Sequence, residues 1–295
     1  MFSAHSARRV NGSLSSVDEP WQTLATLLVG LATGVLSGMF GVGGAIISTP
    51  AIRALGASPL EGVGTPLTSI FPSAISGTLH YQRKSLVHWR VVGWTGAVGV
   101  IAAVLGSLLS DVVPGEGHLL MLATAGLVAL TAWRMGRTQR GARPISPLAD
   151  DAPASGSLTD SDLDPDTGMP EVPRWKLMVI GTAAGGFSGL LGLGGGIIMV
   201  PAFNEWLGLS TKLSIGTSLA TVAILSVPGT ITHALLGHID WSFAIPLSIA
   251  VIPGARLGAH LATRSSERAL RLSVAIVLGV ISVVFAAGEL AAWMS

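Results

Sequence analysis

The fold is decided by a stretch that occurs twice in the chain. It reads GVLSGMFGVGGAIISTPA at residues 34–51 and GGFSGLLGLGGGIIMVPA at residues 185–202, with ten positions identical and no gap. Further along, Gly64-Thr65 matches Gly216-Thr217, and a tryptophan opens the third segment of each copy. The chain is therefore an internal duplication. Duplicated halves of this kind are typical of transporters.

Composition indicates a membrane protein. The 295 residues are 49% hydrophobic and only 11% charged, against about 25% charged residues in an ordinary soluble domain. A membrane-spanning helix needs about 20 apolar residues. We therefore predict an all-α polytopic membrane protein with two homologous four-segment halves. The eight hydrophobic segments are Pro20–Ile52, Gly62–Gln82, Val91–Ser110, Gly117–Trp133, Leu177–Asn204, Leu213–Ile239, Trp241–Ala255 and Leu272–Gly288.

Four regions follow from these segments. They are a polar N-terminal tail (1–20), a first transmembrane repeat (21–136), a linker (137–174) and a second transmembrane repeat (175–295). The linker is rich in Asp, Pro, Ser and Gly, and it cannot bury enough apolar surface to fold. We predict that it is disordered. Its run DSDLDPD loosely resembles a calcium-binding loop but lacks the glycine and the terminal glutamate of that motif.

The first and fifth segments are too long for one straight crossing. A 33-residue helix would measure about 50 Å, whereas the hydrocarbon core is about 30 Å thick. We predict breaks at the clusters Gly41–Gly44 and Gly192–Gly196, where the restarting helix presents unsatisfied N–H groups and its positive dipole end. Two such ends form an anion site without a formal positive charge. The alternative is a helix-packing face of the GxxxG type, which residues 34–38 and 185–189 fit.

The distribution of Lys and Arg favours inverted halves. If each long segment is a re-entrant pair of half-helices, 14 of the 17 basic residues share the side of the linker and 3 lie opposite. If each long segment is a single crossing, the split is 11 to 6. The positive-inside rule favours the first arrangement, and it places the linker in the cytoplasm in both.

These motifs resemble those of the TauE/SafE sulfite-exporter family. The resemblance rests on the paired G-x-G-G-x-I-I-x-x-P sequences, the Gly-Thr that follows and the repeated tryptophan. It covers nearly all of the chain outside the tail and the linker. It implies a secondary transporter, a permease or exporter, of sulfite, thiosulfate or organosulfonates in the bacterial inner membrane. The first repeat departs at Ala45, where the second has Gly196, and at Pro66, where the second has Ser218.

The predicted substrate site combines the glycine clusters with hydroxyl groups on the next helix. Its residues are Gly41, Gly43, Gly44, Thr65, Gly192, Gly194, Gly195, Gly196, Thr217 and Ser218. We expect the anion to sit at the midplane, with access alternating between the two sides. Such hydroxyls also commonly bond to their own helix backbone, so that alternative stays open.

Two histidines are candidates for a proton relay. His80 and His233 fall one residue apart in the aligned repeats, near the ends of the second and sixth segments. An intramembrane histidine suggests function, although either residue could simply be interfacial. Arg256 and His260 share a helix face and could attract anions at the cytoplasmic mouth or serve as positive-inside anchors.

Other functions compete with transport. A channel for anions or small solutes would share the duplicated half-helices. An intramembrane serine protease is suggested by GFSG at 186–189, with His233 or His260 as base. However, the first repeat carries VLSG at the same place, which indicates a packing motif. We predict no enzyme, no cofactor and no metal site. The expected partners are a small anion and the bilayer, without nucleic acid, and homo-oligomerisation stays open.

Overall fold

The computed structural model describes residues 20–110, 126, 129, 130, 133, 172–192 and 194–294. Nearly all of the predicted tail and of the linker, and most of the fourth predicted segment, lie outside these residues. The described part of the chain forms nine helices joined mostly by short turns. They are α1 Pro20–Phe40, α2 Ala45–Ala54, α3 Pro59–Gln82, α4 Trp89–Ser110, α5 Arg174–Leu191, α6 Gly196–Trp206, α7 Thr211–Leu235, α8 Trp241–Arg264 and α9 Glu267–Met294.

The helical membrane class is confirmed. Four helices are long and apolar enough to cross a membrane, namely Trp21–Phe40, Trp89–Leu109, Thr211–Leu235 and Trp241–Arg264. The remaining crossings among the eight predicted segments stay a prediction. Helix α3 has 24 residues, but its hydroxyl groups and Glu61 reduce its hydropathy.

Exposed tryptophans mark the helix ends. They are Trp21, Trp89, Trp175 and Trp241 at the starts of α1, α4, α5 and α8, and Trp206 at the end of α6. Between these ends, the outward faces carry exposed leucine and isoleucine side chains. Amphipathic indole rings at both margins of an apolar surface are the pattern of a membrane-embedded protein.

Both long predicted segments are divided at their glycine clusters. Helices α1 and α2 flank the first cluster, and α5 and α6 flank the second. Helix α2 runs back along α1, because Gly44 lies beside Thr33, whereas Ile52, later in α2, belongs to an apolar cluster against which Val29, earlier in α1, packs. In the other half, Lys176 Nζ at the start of α5 donates to the Trp206 carbonyl at the end of α6, 3.2 Å away. In each half, therefore, the chain folds back at the glycine cluster, so that the second helix lies along the first.

The main helix contacts of the molecule are between its two halves. The two most extensive helix pairs are α1 with α8 and α5 with α4, so the first helix of each half packs on the third long helix of the other. The second long helices, α3 and α7, pack on each other, and each also contacts the third long helix of the opposite half. Interchanging the halves leaves this pattern unchanged. The duplication is thus an approximate twofold symmetry of helix packing.

The glycine contacts give the helix directions. Along α1, Gly30 faces Leu247 and Gly38 faces Ala255, so α1 and α8 run in the same direction. Along α5, the glycines at 181 and 189 face residues 95 and 103, so α5 and α4 are also parallel. Helices α3 and α7 are antiparallel, because residue 77 faces residue 219 whereas residue 229 faces residue 67.

Glycine allows backbones to touch where the halves cross. A Cβ added at Gly185 would overlap the carbonyl oxygen of Gly99, and one at Gly189 would overlap that of Ala103. In the other half, Gly34 and Gly38 lie in the same way against the α8 backbone. The GxxxG-type glycines are therefore packing residues, because small side chains let membrane helices approach closely.

We expect Gly185→Ala to destabilise the protein by about 1–3 kcal/mol, since the new methyl group forces α5 and α4 apart. Gly186→Ala is the matched control, because a Cβ at the neighbouring Gly186 meets nothing within 4 Å. Thermal unfolding of both variants in detergent checks this. Equal melting temperatures for the two variants would contradict the close crossing.

Candidate functional site

The two helix breaks have the same backbone geometry. Their glycines adopt left-handed φ angles, which are 70°, 87° and 83° at Gly41, Gly43 and Gly44, and 67°, 75° and 71° at Gly192, Gly194 and Gly195. Residues that carry a side chain rarely adopt these backbone angles. The clusters consist of glycine because the chain must turn back at each of them within a few residues.

The half-helices α2 and α6 start without a side-chain cap. By contrast, α3 begins with a capping box between Ser58 and Glu61, and the caps of α7 and α8 are Ser210 and Asp240. The first N–H groups of an α-helix have no partner within the helix. At both breaks these groups and the positive end of the helix dipole lie in buried surroundings, which is an arrangement suited to an anion.

The two breaks lie against each other. A Cβ at Gly196 would overlap the carbonyl oxygen of Gly41, so the start of α6 touches the first break. Ser218 on α7 donates its hydroxyl hydrogen to the same Gly41 carbonyl, over 2.8 Å. The structure therefore brings together three of the predicted site residues that come from different parts of the chain. The aligned residue in the first half, Pro66, has no hydroxyl group to do the same.

Thr65 and Thr217 have equivalent contacts at the starts of two other helices. Thr65 Oγ1 accepts a hydrogen bond from the Asp240 N–H at 2.9 Å, just before α8. Thr217 Oγ1 accepts one from the His88 N–H at 3.0 Å, just before α4. Both hydroxyl groups thus hold the start of a helix from the opposite half. Their predicted role as hydrogen-bond donors to a substrate stays a prediction.

A cluster of hydroxyl side chains around the first break was not predicted from the sequence. Five buried residues from α1, α2 and α3 form this group, namely Thr33, Ser37, Ser48, Thr49 and Ser73. A Cβ at Gly44 would lie 2.8 Å from the Thr33 methyl carbon Cγ2 and 3.3 Å from Ser37 Cβ, so both residues lie beside the break. Ser73 donates to Ser37 over 2.7 Å. The Oγ1 atoms of Thr33 and Thr49 have no hydrogen-bond partner among the described residues.

The second half lacks most of this polar group. The aligned residues of Thr33, Ser48, Thr49 and Ser73 are Ala184, Met199, Val200 and Leu225, and only the pair Ser37 and Ser188 keeps its hydroxyl. Comparing the two repeats position by position would have revealed the difference. A buried hydroxyl without a partner is costly, which makes this group of side chains a candidate site for a polar ligand.

His233 occupies the same place in its half as Tyr81 does in the other. The Tyr81 hydroxyl donates to the Gly38 carbonyl at 3.0 Å, and His233 Nε2 contacts the Gly189 carbonyl at 3.1 Å. Because a carbonyl can only accept, Nε2 carries the proton. Nδ1 of His233 lies 3.0 Å from Nδ1 of His238. This equivalence favours an anchoring role for His233, next to the second break.

His80 belongs to a different group of side chains. It is half-buried at the end of α3, with Nε2 3.2 Å from Thr263 Oγ1 and its ring 5.8 Å from that of His260. The structure thus places His80 and His233 among separate partners. A relay through either histidine stays a prediction.

The fold and the paired breaks define a class, that of polytopic helical membrane proteins with two interlocked homologous halves. The sequence model of the family described as "Sulfite exporter TauE/SafE" matches residues 26–285. The chain therefore belongs to the TauE/SafE family of membrane transporters, which confirms the resemblance. The family consists of transporters and not of enzymes, so family membership counts against the protease alternative.

Three relatives are named as probable membrane transporter proteins. A "Probable membrane transporter protein" of Xylella fastidiosa is 29% identical over 245 residues, which are 81% of this chain and 83% of the relative. The "Probable membrane transporter protein YjnA" of Bacillus subtilis is 25% identical over 270 residues, covering 87% and 96% of the two chains. MJ0441 of Methanocaldococcus jannaschii, with the same description, is 21% identical over 269 residues, which are 86% of this chain and 91% of the relative. No solved structure matches the chain.

We expect Thr65→Val and Thr217→Val each to lower the free energy of unfolding by about 1–3 kcal/mol, because each leaves a backbone N–H without its acceptor. Thr182→Val is the control, since Thr182 is exposed and bonds only within its own helix, to the Met178 carbonyl. Denaturation in detergent measures all three. If all three variants are equally stable, the two threonines do not hold the helix starts.

Proposed function

We propose that this protein is a secondary transporter of small oxyanions and that the two helix breaks form its binding site. The observation that carries the proposal is the pair of buried half-helix starts without a side-chain cap, at two breaks that touch through Gly196 and Gly41. No Lys, Arg, Asp or Glu lies within either cluster. Helix dipoles and N–H groups would therefore balance the charge of the substrate.

The cluster of hydroxyl side chains around the first break supports a ligand with several acceptor oxygens. The free Oγ1 atoms of Thr33 and Thr49 can donate hydrogen bonds that no described protein atom accepts. Thr65, Thr217 and Ser218 remain proposed contributors, although their hydroxyls also serve the contacts described above. The family description names sulfite, and thiosulfate and organosulfonates present similar oxygen atoms. We propose these sulfur oxyanions as the substrate class.

The helix directions support inverted repeats. Helix α7 precedes α8, and α3 precedes α4, by a short turn in each case, so the members of each pair run in opposite directions. Combined with the parallel pairs α1/α8 and α4/α5 and the antiparallel pair α3/α7, these turns make α1, α3 and α4 run opposite to α5, α7 and α8 respectively. Related halves of opposite orientation suit alternating access, because the same site can open to either side.

The charges support the same topology. The structure describes eleven Lys and Arg residues. Arg53 lies at the end of the molecule where α1 and α8 begin. The other ten lie at the opposite end, in its turns or in the adjacent parts of the helices. The ten are Arg83, Lys84, Arg90, Arg174, Lys176, Lys212, Arg256, Arg264, Arg268 and Arg271. By the positive-inside rule, we propose that the basic end, where the linker meets α5, faces the cytoplasm of a bacterial inner membrane.

We expect Thr33→Val to weaken substrate binding by about tenfold, seen as a higher KM, because a hydrogen bond to a charged group contributes about 1.5–3 kcal/mol. Its stability should not fall, since the hydroxyl has no partner among the described residues. Flux of sulfite, thiosulfate and a short organosulfonate into proteoliposomes measures the effect, and Thr182→Val serves as the control.

Two outcomes would contradict this proposal. Unchanged flux of all three anions in Thr33→Val would mean that the first break does not hold the substrate. Flux that does not saturate and shows no counterflow would favour the channel alternative over a carrier.

The inverted arrangement predicts opposite accessibility of two turns. The chain has no cysteine, so single cysteines can be introduced at Ser85, between α3 and α4, and at Leu235, which ends α7 and is 84% exposed. We expect an impermeant thiol reagent applied outside intact cells to label Leu235→Cys and not Ser85→Cys. Labelling of both positions, or of neither, from that side would indicate repeats of the same orientation.

A further inference from the structure

A basic groove lies between the C-terminal halves of α3 and α8. It encloses about 490 Å³, and its lining includes Ser76, His80, Arg83, Arg256 and His260. On each helix these residues are three or four positions apart, so they share one face. Lys84 lies next to the groove, where its Nζ donates to Thr263 Oγ1, 3.1 Å away, the same hydroxyl that contacts His80.

Carboxylates do not balance this charge. No described Asp or Glu lines the groove. Two described carboxylates, Glu205 and Glu267, lie at this end of the molecule. Glu267 accepts hydrogen bonds from the Thr211 and Lys212 N–H groups at the start of α7, at 2.9 and 3.3 Å. The groove therefore has two arginines and two histidines facing a space without a counter-anion from the described protein.

Arg256 lies deep along α8, which makes its charge costly. Arg256 lies eight residues before the end of α8 at Arg264, which corresponds to about 12 Å along the helix axis. An arginine this far from the helix end lies within or near the hydrocarbon boundary and is costly there without a partner. An anion located at that depth would offset the cost.

The rim of the groove is apolar and faces outward. Leu79 is 46% exposed and Leu257 51% exposed, and both line the groove. Ile75 and Leu261, one helical turn away from these leucines, are also exposed. A ligand bound here would thus contact the basic side chains with one part and the apolar outer surface with another.

The fold does not require these charges. In the other half, the residues aligned with His80, Arg83, Arg256 and His260 are Thr232, Leu235, Val104 and Leu108. None of the four carries a charge, although the corresponding helices α7 and α4 pack in the same way. Helix packing therefore does not account for these basic side chains, which leaves them available to a ligand at this end of the molecule.

We propose that this groove binds the phosphate headgroup of an anionic phospholipid. Arginine forms paired hydrogen bonds with phosphate oxygens, and basic pockets between transmembrane helices are suited to acidic headgroups. The acyl chains would lie along Leu79 and Leu257. This site is separate from the helix breaks, so the inference does not depend on the proposed substrate.

The test uses the purified full-length chain in detergent. Phosphatidylglycerol, phosphatidylcholine with the same acyl chains, or inorganic phosphate is added, and the melting temperature and the lipid retained in native mass spectrometry are measured. We expect phosphatidylglycerol alone to stabilise the protein and to be retained. Its apparent affinity should fall on the order of tenfold in Arg83→Gln/Arg256→Gln, because each basic residue adds to lipid affinity.

The control is Arg264→Gln/Arg268→Gln, which removes two charges at the same end but outside the groove. It should keep the selectivity for phosphatidylglycerol. Arg83 is exposed, so Arg83→Gln alone serves as a second test if the double variant does not fold. The proposal is overturned if the groove variants keep full selectivity, if the control pair loses as much, or if inorganic phosphate alone gives the same stabilisation.

Discussion

Backbone polar groups inside a bilayer must find partners within the protein, and the architecture depends on this constraint. The chain leaves helical geometry at Gly41–Gly44 and at Gly192–Gly195, where buried N–H and carbonyl groups lose their helical partners. Helices of the opposite half enclose both breaks. Ser218 on α7 satisfies the Gly41 carbonyl, and Val63 on α3 packs against Gly192. Neither half could keep its break out of lipid alone, so the halves interlock.

The twofold symmetry is closest in the packing and weakest in the chemistry. Three sets of residues have the same structural role in both halves. They are the glycines at the helix crossings, the threonines Thr65 and Thr217 that hold the starts of α8 and α4, and the pair Tyr81 and His233. Among the described residues, the cluster of buried hydroxyl side chains lies at the first break and the basic groove lies between α3 and α8, and the aligned positions of the other half lack most of these side chains. Where symmetric positions differ in polarity, packing does not explain the difference. Such positions are therefore the better candidates for function.

Much of this could be predicted from the sequence. Low charge and long apolar segments indicated a helical membrane protein, and the repeated glycine motif identified the duplication, the family and the places where the long segments divide. The cluster of hydroxyl side chains around Thr33 was not predicted, because four of its five positions are apolar in the second copy and the predicted site mainly followed residues shared by both copies. Thr65 and Thr217 were expected near the glycines, but their described contacts are with helix starts of the opposite half. Spacing along one chain could not show contacts that arise between the halves.

The sequence by itself determined the membrane class, the two copies and the positions of the breaks, because hydrophobic length, duplication and glycine conformation are local properties. Only the tertiary structure decided that α1 packs on α8 and α5 on α4, that the breaks touch through Gly41 and Gly196, and that four basic side chains line one groove. These features depend on how helices distant in sequence approach each other. That approach follows from glycine-to-backbone contacts across the two halves, and such contacts exist only once both halves have folded together.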